Sequence, residues 1–432
     1  AFAGILGGRV LSKKLREAHH VSQAHHQLHV DHSSVWYKFA NFLSQNPIFA
    51  IIVAAVFLAG LAYPVSDLRL GLPTDEFAAS DTTQKKAYDI LSRGFGEGFN
   101  GPLLVLAENI PAPTPQELEQ TKMALASGQL QLPPALASLM GEDAQDLDSA
   151  ARIAVSFGNA QKIAKNLSAQ DGVAKAIPAS VTPSGKEALI QVIPKTGPSD
   201  EATVELIKRI RSDTLNLSYS DVELLVTGTT AIQTDIDKRM LEALPPYLGI
   251  TIGLSFLILL IAFRSILIPI KATIGFLLSV GGMFGALVMV FQWGLFGLFE
   301  PAPIISFLPI IGLGILFGLA MDYEFFMTSS IRESYVKSRN GKQSVRDGFS
   351  IGAKVVTAAA IIMVSVFGGF MFSNDDIIRQ VGFGLAFGIL IDAFLVRMII
   401  GPAVMSLLGD KAWYLPKWLG KIIPRISIEG KE

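Results

Sequence analysis

Residues 314–335 read GILFGLAMDYEFFMTSSIRESY, an apolar helical run interrupted by Asp322, Tyr323 and Glu324, with no basic residue nearer in sequence than Arg332. Carboxylates inside a membrane are costly and by default mark an ion or proton path, so Asp322 is a candidate proton carrier; the bland alternative is an acid tied to a hydroxyl that fixes helix register. Tyr323 supplies a phenol able to donate and accept a proton beside that acid, or else belongs to an interfacial aromatic belt. Glu324 falls on nearly the opposite face from Asp322. It reads as an acid that reaches headgroup water near the cytoplasmic end of the span, toward the basic loop, or as a further relay partner.

Positions i, i+4 and i+8 share one helix face, and Gly314, Gly318 and Asp322 have that spacing, as do Gly384, Gly388 and Asp392. Small residues four apart let another helix approach closely in lipid, so both faces are expected to pack and both acids to point at a neighbouring helix. Arg397 offers Asp392 a salt partner on its own helix, which leaves a structural pair and a proton site as alternatives there. Thr357 and Ser365 are possible hydroxyl partners for a carboxyl, although such side chains in membrane helices usually bond their own backbone.

All six histidines lie in HHVSQAHHQLHVDH, residues 19–32. His25, His29 and His32 would share a helix face, a spacing that can hold zinc or nickel. The plainer reading is a solvated cytoplasmic linker whose imidazoles titrate near pH ~6.5. The chain has no cysteine, no Gly-rich phosphate loop and no Ser/His/Asp order. Neither an enzyme nor a cofactor is expected, and a proton gradient would be the energy source.

These groups need a scaffold, and composition says which. Of 432 residues, 50% are hydrophobic and 17% charged, with a net charge of −1, which places the chain among membrane proteins and offers no basic field for nucleic acid. Six segments are long enough to cross a bilayer as helix: 47–64, 245–263, 267–293, 302–328, 353–373 and 380–408. The second and third form a tight hairpin around Arg264 and Pro269. Lys and Arg concentrate in 1–46, in the loop 329–352 and in the tail 409–432, so both termini are expected in the cytoplasm and the insert 65–244 outside. Strand patterns at 102–107, 173–178, 187–194 and 222–228, with helices at 151–170 and 200–213, give a β-α-β-β-α-β order of ferredoxin-like type, interrupted by a surface excursion at 109–150.

The segment FGLAMDYEFFMTSSIRESY resembles the one that marks the mycobacterial-membrane-protein-large (MmpL) transporters of the resistance-nodulation-division (RND) superfamily. The likeness continues through LRLGLPTDEFAASDTTQKKAYDILSRGFGEGFNGPLLVL, VTGTTAIQTDIDKR, FRSILIPIKA and GFGLAFGILIDAFLVRMIIGPAVMSLLG. The resemblance implies the C-terminal half of a pseudo-duplicated fold: an α-helical membrane bundle of six transmembrane helices with an inserted extracytoplasmic α/β porter domain. It implies a proton relay at Asp322 and Tyr323 facing an equivalent pair in the first half, with Phe326 packed beside it. The implied activity is proton-driven export of lipids, envelope lipid precursors or hydrophobic compounds across a bacterial inner membrane; a non-transporting sensor or assembly scaffold of the same fold is the alternative. AFAGILGGRVL at the start aligns with AVMSLLGDKAW at 403–413. This motivates the expectation that residues 11–46 are a linker, that a homologous N-terminal half belongs in the same or a separate chain, and that residues 1–432 alone are poorly folded or inactive.

Overall fold

The computed structural model describes residues 32–72, 74–78, 81–131, 146–212, 221–299 and 301–423. It opens with a short helix α1 (Val35–Gln45), followed by α2 (Pro47–Ala62), whose N1 proline suits the first helical turn and which runs on through a tight turn to Asp67. α2 buries only the narrow seam Ala50, Ala54 and Leu58, four residues apart. A short strand β1 (Leu70–Gly71) and α3 (Thr83–Phe95), capped by the Thr82 hydroxyl accepting from the Lys85 amide, lead into the α/β unit.

That unit contains β2 (Leu103–Glu108), α4 (Pro115–Ala126), α5 (Leu147–Ser168), β3 (Val173–Val181), β4 (Ala188–Pro194), α6 (Glu201–Arg211) and β5 (Glu223–Thr227). Its sheet has the order β3-β4-β2-β5 with every neighbour antiparallel. Strand residues alternate faces. Leu103, Val105 and Ala107, Ala188, Ile190 and Val192, and Leu224 and Val226 therefore all bury against Ile163 and Leu167 of α5 and Leu206, Ile207 and Ile210 of α6. The excursion at 109–150 is partly regular: α4 starts with a Thr114/Glu117 capping box and packs along α5, while residues 132–145 lie outside the described ones.

Gly228, at φ 105°, passes the chain from β5 into the membrane bundle, where a Cβ would crowd the Leu104 amide at 3.1 Å and the Pro102 carbonyl at 3.2 Å. The following helix, α7 (Thr229–Phe263), begins well before the expected start at 245 and continues through Pro245 and Pro246. Arg264, in the left-handed region at φ 49°, ends α7 and turns the chain into α8 (Leu267–Leu287), which widens into a π turn at Val288–Gln292. Strand β6 (Ile304–Ile305) pairs in parallel with β1, so the chain leaving the first span and the chain entering the fourth are bonded together beneath the α/β unit.

α9 (Leu308–Ser338) and α10 (Gly341–Phe370) follow, separated only by Arg339 and Asn340. The expected loop at 329–352 is thus a helical hairpin: its charged residues keep helical spacing, with Lys337 bridging Glu333 at 2.8 Å and Ile331, Val345 and Phe349 buried. The last span is composite, made of α11 (Asp376–Leu390), a π segment at Ile391–Ile400 and α12 (Gly401–Leu408), and a short α13 (Lys417–Ile422) closes the described chain. Among the described residues six helical stretches are long and apolar enough to cross a membrane: Pro47–Asp67, Thr229–Phe263, Leu267–Gln292, Leu308–Ser338, Gly341–Phe370 and Asp376–Trp413. The third and sixth are 67% and 72% buried over their apolar windows, against 22–39% for the others, so these two form the centre of the bundle.

Candidate functional site

Glu324 occupies the inner face of α9, only 2% exposed. Its Oε1 accepts from Thr328 Oγ1 at 2.7 Å and pairs with Lys271 Nζ of α8 at 2.8 Å, and its Oε2 pairs with the Arg397 guanidinium. Arg397 Nε also donates to Asp392 Oδ2 at 3.1 Å, and Asp392 Oδ1 accepts from Ser279 Oγ of α8 at 2.9 Å. Two acids and two bases from three spans therefore meet with balanced formal charge. The expectation that Glu324 reaches headgroup water is corrected: its basic partners come from distant parts of the sequence, and Lys271 and Arg397 keep it inside.

Asp392 and Arg397 are five residues apart, a spacing that an ordinary α-helix turns to different sides. Here both lie in the π segment, where the amide of Gly401 bonds the carbonyl of Val396 in the i to i+5 pattern. The wider turn puts the two side chains within reach of each other. It fits against α8 because α8 presents small residues there: a Cβ on Gly275 would lie 2.6 Å from Val396 Cγ1, and one on Gly282 would lie 2.9 Å from Ile391 Cδ1. Sequence reading missed Lys271, Ser279 and this row. The signal was present as Ala272, Gly275, Ser279 and Gly282, small residues three or four apart.

Asp322 lies on the other side of α9. It is exposed, and it makes no hydrogen bond or ion pair with any described residue. Tyr323 between the two acids is 8% exposed, and its hydroxyl has no hydrogen-bond partner among the described residues. Gly318 has nothing within 4 Å of a Cβ, and one on Gly314 would meet Tyr247 Oη at 2.7 Å. The expectation of a packed Gly314/Gly318/Asp322 face therefore fails within this chain, where the face is largely open. Phe326, expected in a packed centre, is likewise 44% exposed. The second glycine face is packed: Gly384 lies against Leu287 and Gly388 against Met283 and Leu316.

Thr357 and Ser365 reach no carboxyl. Their hydroxyls donate to the carbonyls of Ala353 at 2.6 Å and Ile361 at 2.7 Å, one turn back on α10. His25 and His29 lie outside the described residues, and His32 packs edge-on to Tyr37. No group of three potential metal ligands occurs among the described residues. The arrangement divides the acids: Glu324 and Asp392 are committed to cations, while Asp322 pairs with no cation among the described residues.

Residues 110–423 match the model of the MMPL family. The chain is 39% identical over 404 residues to membrane protein YdfJ of Bacillus subtilis, covering 93% of this chain and 49% of that protein. It is 27% identical over 400 residues to the mycolic acid-containing lipids exporter MmpL11 of Mycolicibacterium smegmatis, covering 92% of this chain and 38% of that protein. To the trehalose monomycolate exporter MmpL3 of Mycobacterium tuberculosis it is 34% identical over 212 residues, 48% of this chain and 22% of that one. The chain thus spans about half, or less, of the length of these relatives.

Proposed function

This chain belongs to the MMPL family, and from that premise we propose that it forms the C-terminal half of a proton-driven exporter of lipids or other hydrophobic molecules. The single observation that carries the proposal is the exposed, unpaired carboxyl of Asp322 on a membrane-length helix whose neighbouring acid, Glu324, is neutralised by Lys271 and Arg397. A lone carboxyl in lipid is expensive unless it takes a proton or meets a partner. In this reading Asp322 and Tyr323 are a relay completed by a homologous N-terminal half docked on the Gly314/Gly318 face. The α/β unit is an outward ferredoxin-like porter domain, and both termini are cytoplasmic in a bacterial inner membrane.

Protonation of Asp322 from outside removes the cost of its charge, and release inward restores it. That alternation biases how α9 packs against the facing half. Each proton crossing the field supplies ~2.3 kcal/mol per 100 mV, enough for one or two to drive a modest helix rearrangement. The lipid exporters among the relatives support the substrate class.

The test is Asp322→Asn in the assembled transporter, reconstituted in liposomes with an imposed pH gradient and a fluorescent lipid. The isostere keeps the shape and removes the titrating group. Gradient-driven export is expected to fall to the level seen with protonophore. Export at the wild-type rate would sink the relay assignment.

A further inference from the structure

The proposed relay leaves unexplained two apolar loops at the α/β end of the bundle. The connection between α8 and α9 exposes Trp293 (46%), Leu295 (42%), Phe296 (77%) and Leu298 (62%), and the turn between α10 and α11 exposes Phe372 (88%). The first loop is built in an unusual backbone: Gly294, Phe296 and Gly297 all have positive φ, at 65°, 72° and 62°. A left-handed phenylalanine is disfavoured, and such strain persists only where the surrounding structure enforces it.

The base of each loop is held firmly. Phe291 stacks on Phe299 with ring centroids 4.6 Å apart, and the Ala302 amide donates to the Phe291 carbonyl at 2.8 Å. Arg379 ties the two loops together, its guanidinium lying over the Phe299 ring at 5.1 Å while Nη2 donates to the Ser373 carbonyl at 2.8 Å. The tips are therefore rigidly presented. They also continue an exposed apolar row, Ile362, Val366 and Phe370, on the last turns of α10, a helix long and apolar enough to cross a membrane.

We propose that these two loops form one apolar wedge that inserts into the membrane leaflet on the α/β side. Continuity with the exposed apolar row of α10, on a helix of membrane-spanning length and apolarity, selects a bilayer as the occupant over water or a soluble partner. Aromatic and apolar side chains at the ends of spans are stable at the headgroup and acyl boundary, where apolar faces bury about 5–10 Å deep. Behind the wedge, an open cleft of about 620 Å³ is lined by Phe299 and Phe372 of the loops and by Phe77 and Lys85 beneath the α/β unit. The insertion places leaflet lipids at the mouth of that cleft whether or not the protein exports them.

These 432 residues contain no cysteine, so with any cysteine of the second half replaced, single labels are clean. Phe296→Cys, Phe372→Cys and Leu298→Cys are each spin-labelled in the assembled protein in phospholipid nanodiscs, and collision with oxygen is compared with collision with a water-soluble nickel chelate. Ile258→Cys on the lipid-facing side of α7 and Ile177→Cys on β3 of the α/β unit are the references. All three wedge labels are expected to favour oxygen, as at position 258, with a depth of about 5–10 Å below the headgroups. Nickel-favoured labels like position 177 would overturn the proposal, as would labels shielded from both reagents, which would mean a protein partner covers the loops. If Phe296→Cys does not fold, Phe372→Cys and Leu298→Cys decide the same question.

Discussion

Glu324 and Asp322 are two residues apart and have opposite fates. The sequence places them on opposite helix faces, but it does not show which is neutralised, because the bases that decide it come from spans far along the chain. Arg397 lies 73 residues from Glu324. A search for a nearby base within one helix stops at Arg332, whose guanidinium instead donates to the Ala262 carbonyl at 2.8 Å. The balanced quartet makes a prediction about charge rather than shape. Lys271→Met leaves one excess buried negative charge and Glu324→Gln one excess positive charge, so each is expected to cost about 3–5 kcal/mol. The double variant keeps Arg397 with Asp392 and should cost less than either single change. Thermal unfolding of the four proteins in one detergent checks this, and additive losses would show that Lys271 and Glu324 do not act as a pair.

Among the elements, the spans were legible because length and apolarity alone fix them, and the strands because alternation does. The π segment was not. Nothing in residues 391–400 departs from a helical apolar pattern except the spacing of Asp392 and Arg397, and that spacing gains meaning only once the two are seen bonded. Close packing was legible at Gly384 and Gly388 but misplaced at Gly318. The tightest approach is at Gly285, where a Cβ would fall 1.6 Å from the Leu61 carbonyl oxygen, whereas Gly318 has open space. Gly285→Leu must push α2 off α8, and beyond the ~1–3 kcal/mol usual for overpacking it is expected to prevent folding. Gly318→Leu is expected to leave the melting temperature of this bundle unchanged yet impair export, because its clash would be with the docked half. A Gly318→Leu protein that transports normally would remove functional meaning from that face.

At the scale of the whole molecule, the α/β unit and the bundle meet at Glu76, which lines a cavity of about 270 Å³ together with Asp200 above and Gln292 below. Burial raises the Glu76 pKa above the usual carboxylate value near 4.5, and a hydrogen bond from Ser199 pulls it partly back. The native state then holds a proton that the unfolded chain has lost, so stability falls as pH rises from about 4.5 through the native value and stays lower above it. Glu76→Gln should therefore raise the melting temperature at neutral pH and make no difference below pH about 4.5. A variant less stable than wild type at neutral pH would show that the carboxylate stabilises this seam. The open face of α9 carries the larger question of assembly. Ile311, Ile315, Gly318, Asp322 and Phe326 all lie exposed along one side of a helix whose other side is fully packed. Lipid can cover the apolar members of that row, but it offers nothing to the carboxyl. A second half presenting its own small-residue face and acid, as proposed, would satisfy both; the row itself is legible from its four-residue spacing, whereas nothing among the described residues covers it. Gly318→Cys, in a chain without other cysteines, is expected to form a disulfide under mild oxidant with a cysteine on the corresponding helix of a co-expressed homologous half. That bond needs Cα atoms within about 4.4–6.8 Å, so it reports direct packing. Ile258→Cys, on the lipid-facing side of α7, should not cross-link to the same position. Cross-linking at 258 and none at 318 would place the second half elsewhere and leave Asp322 facing lipid.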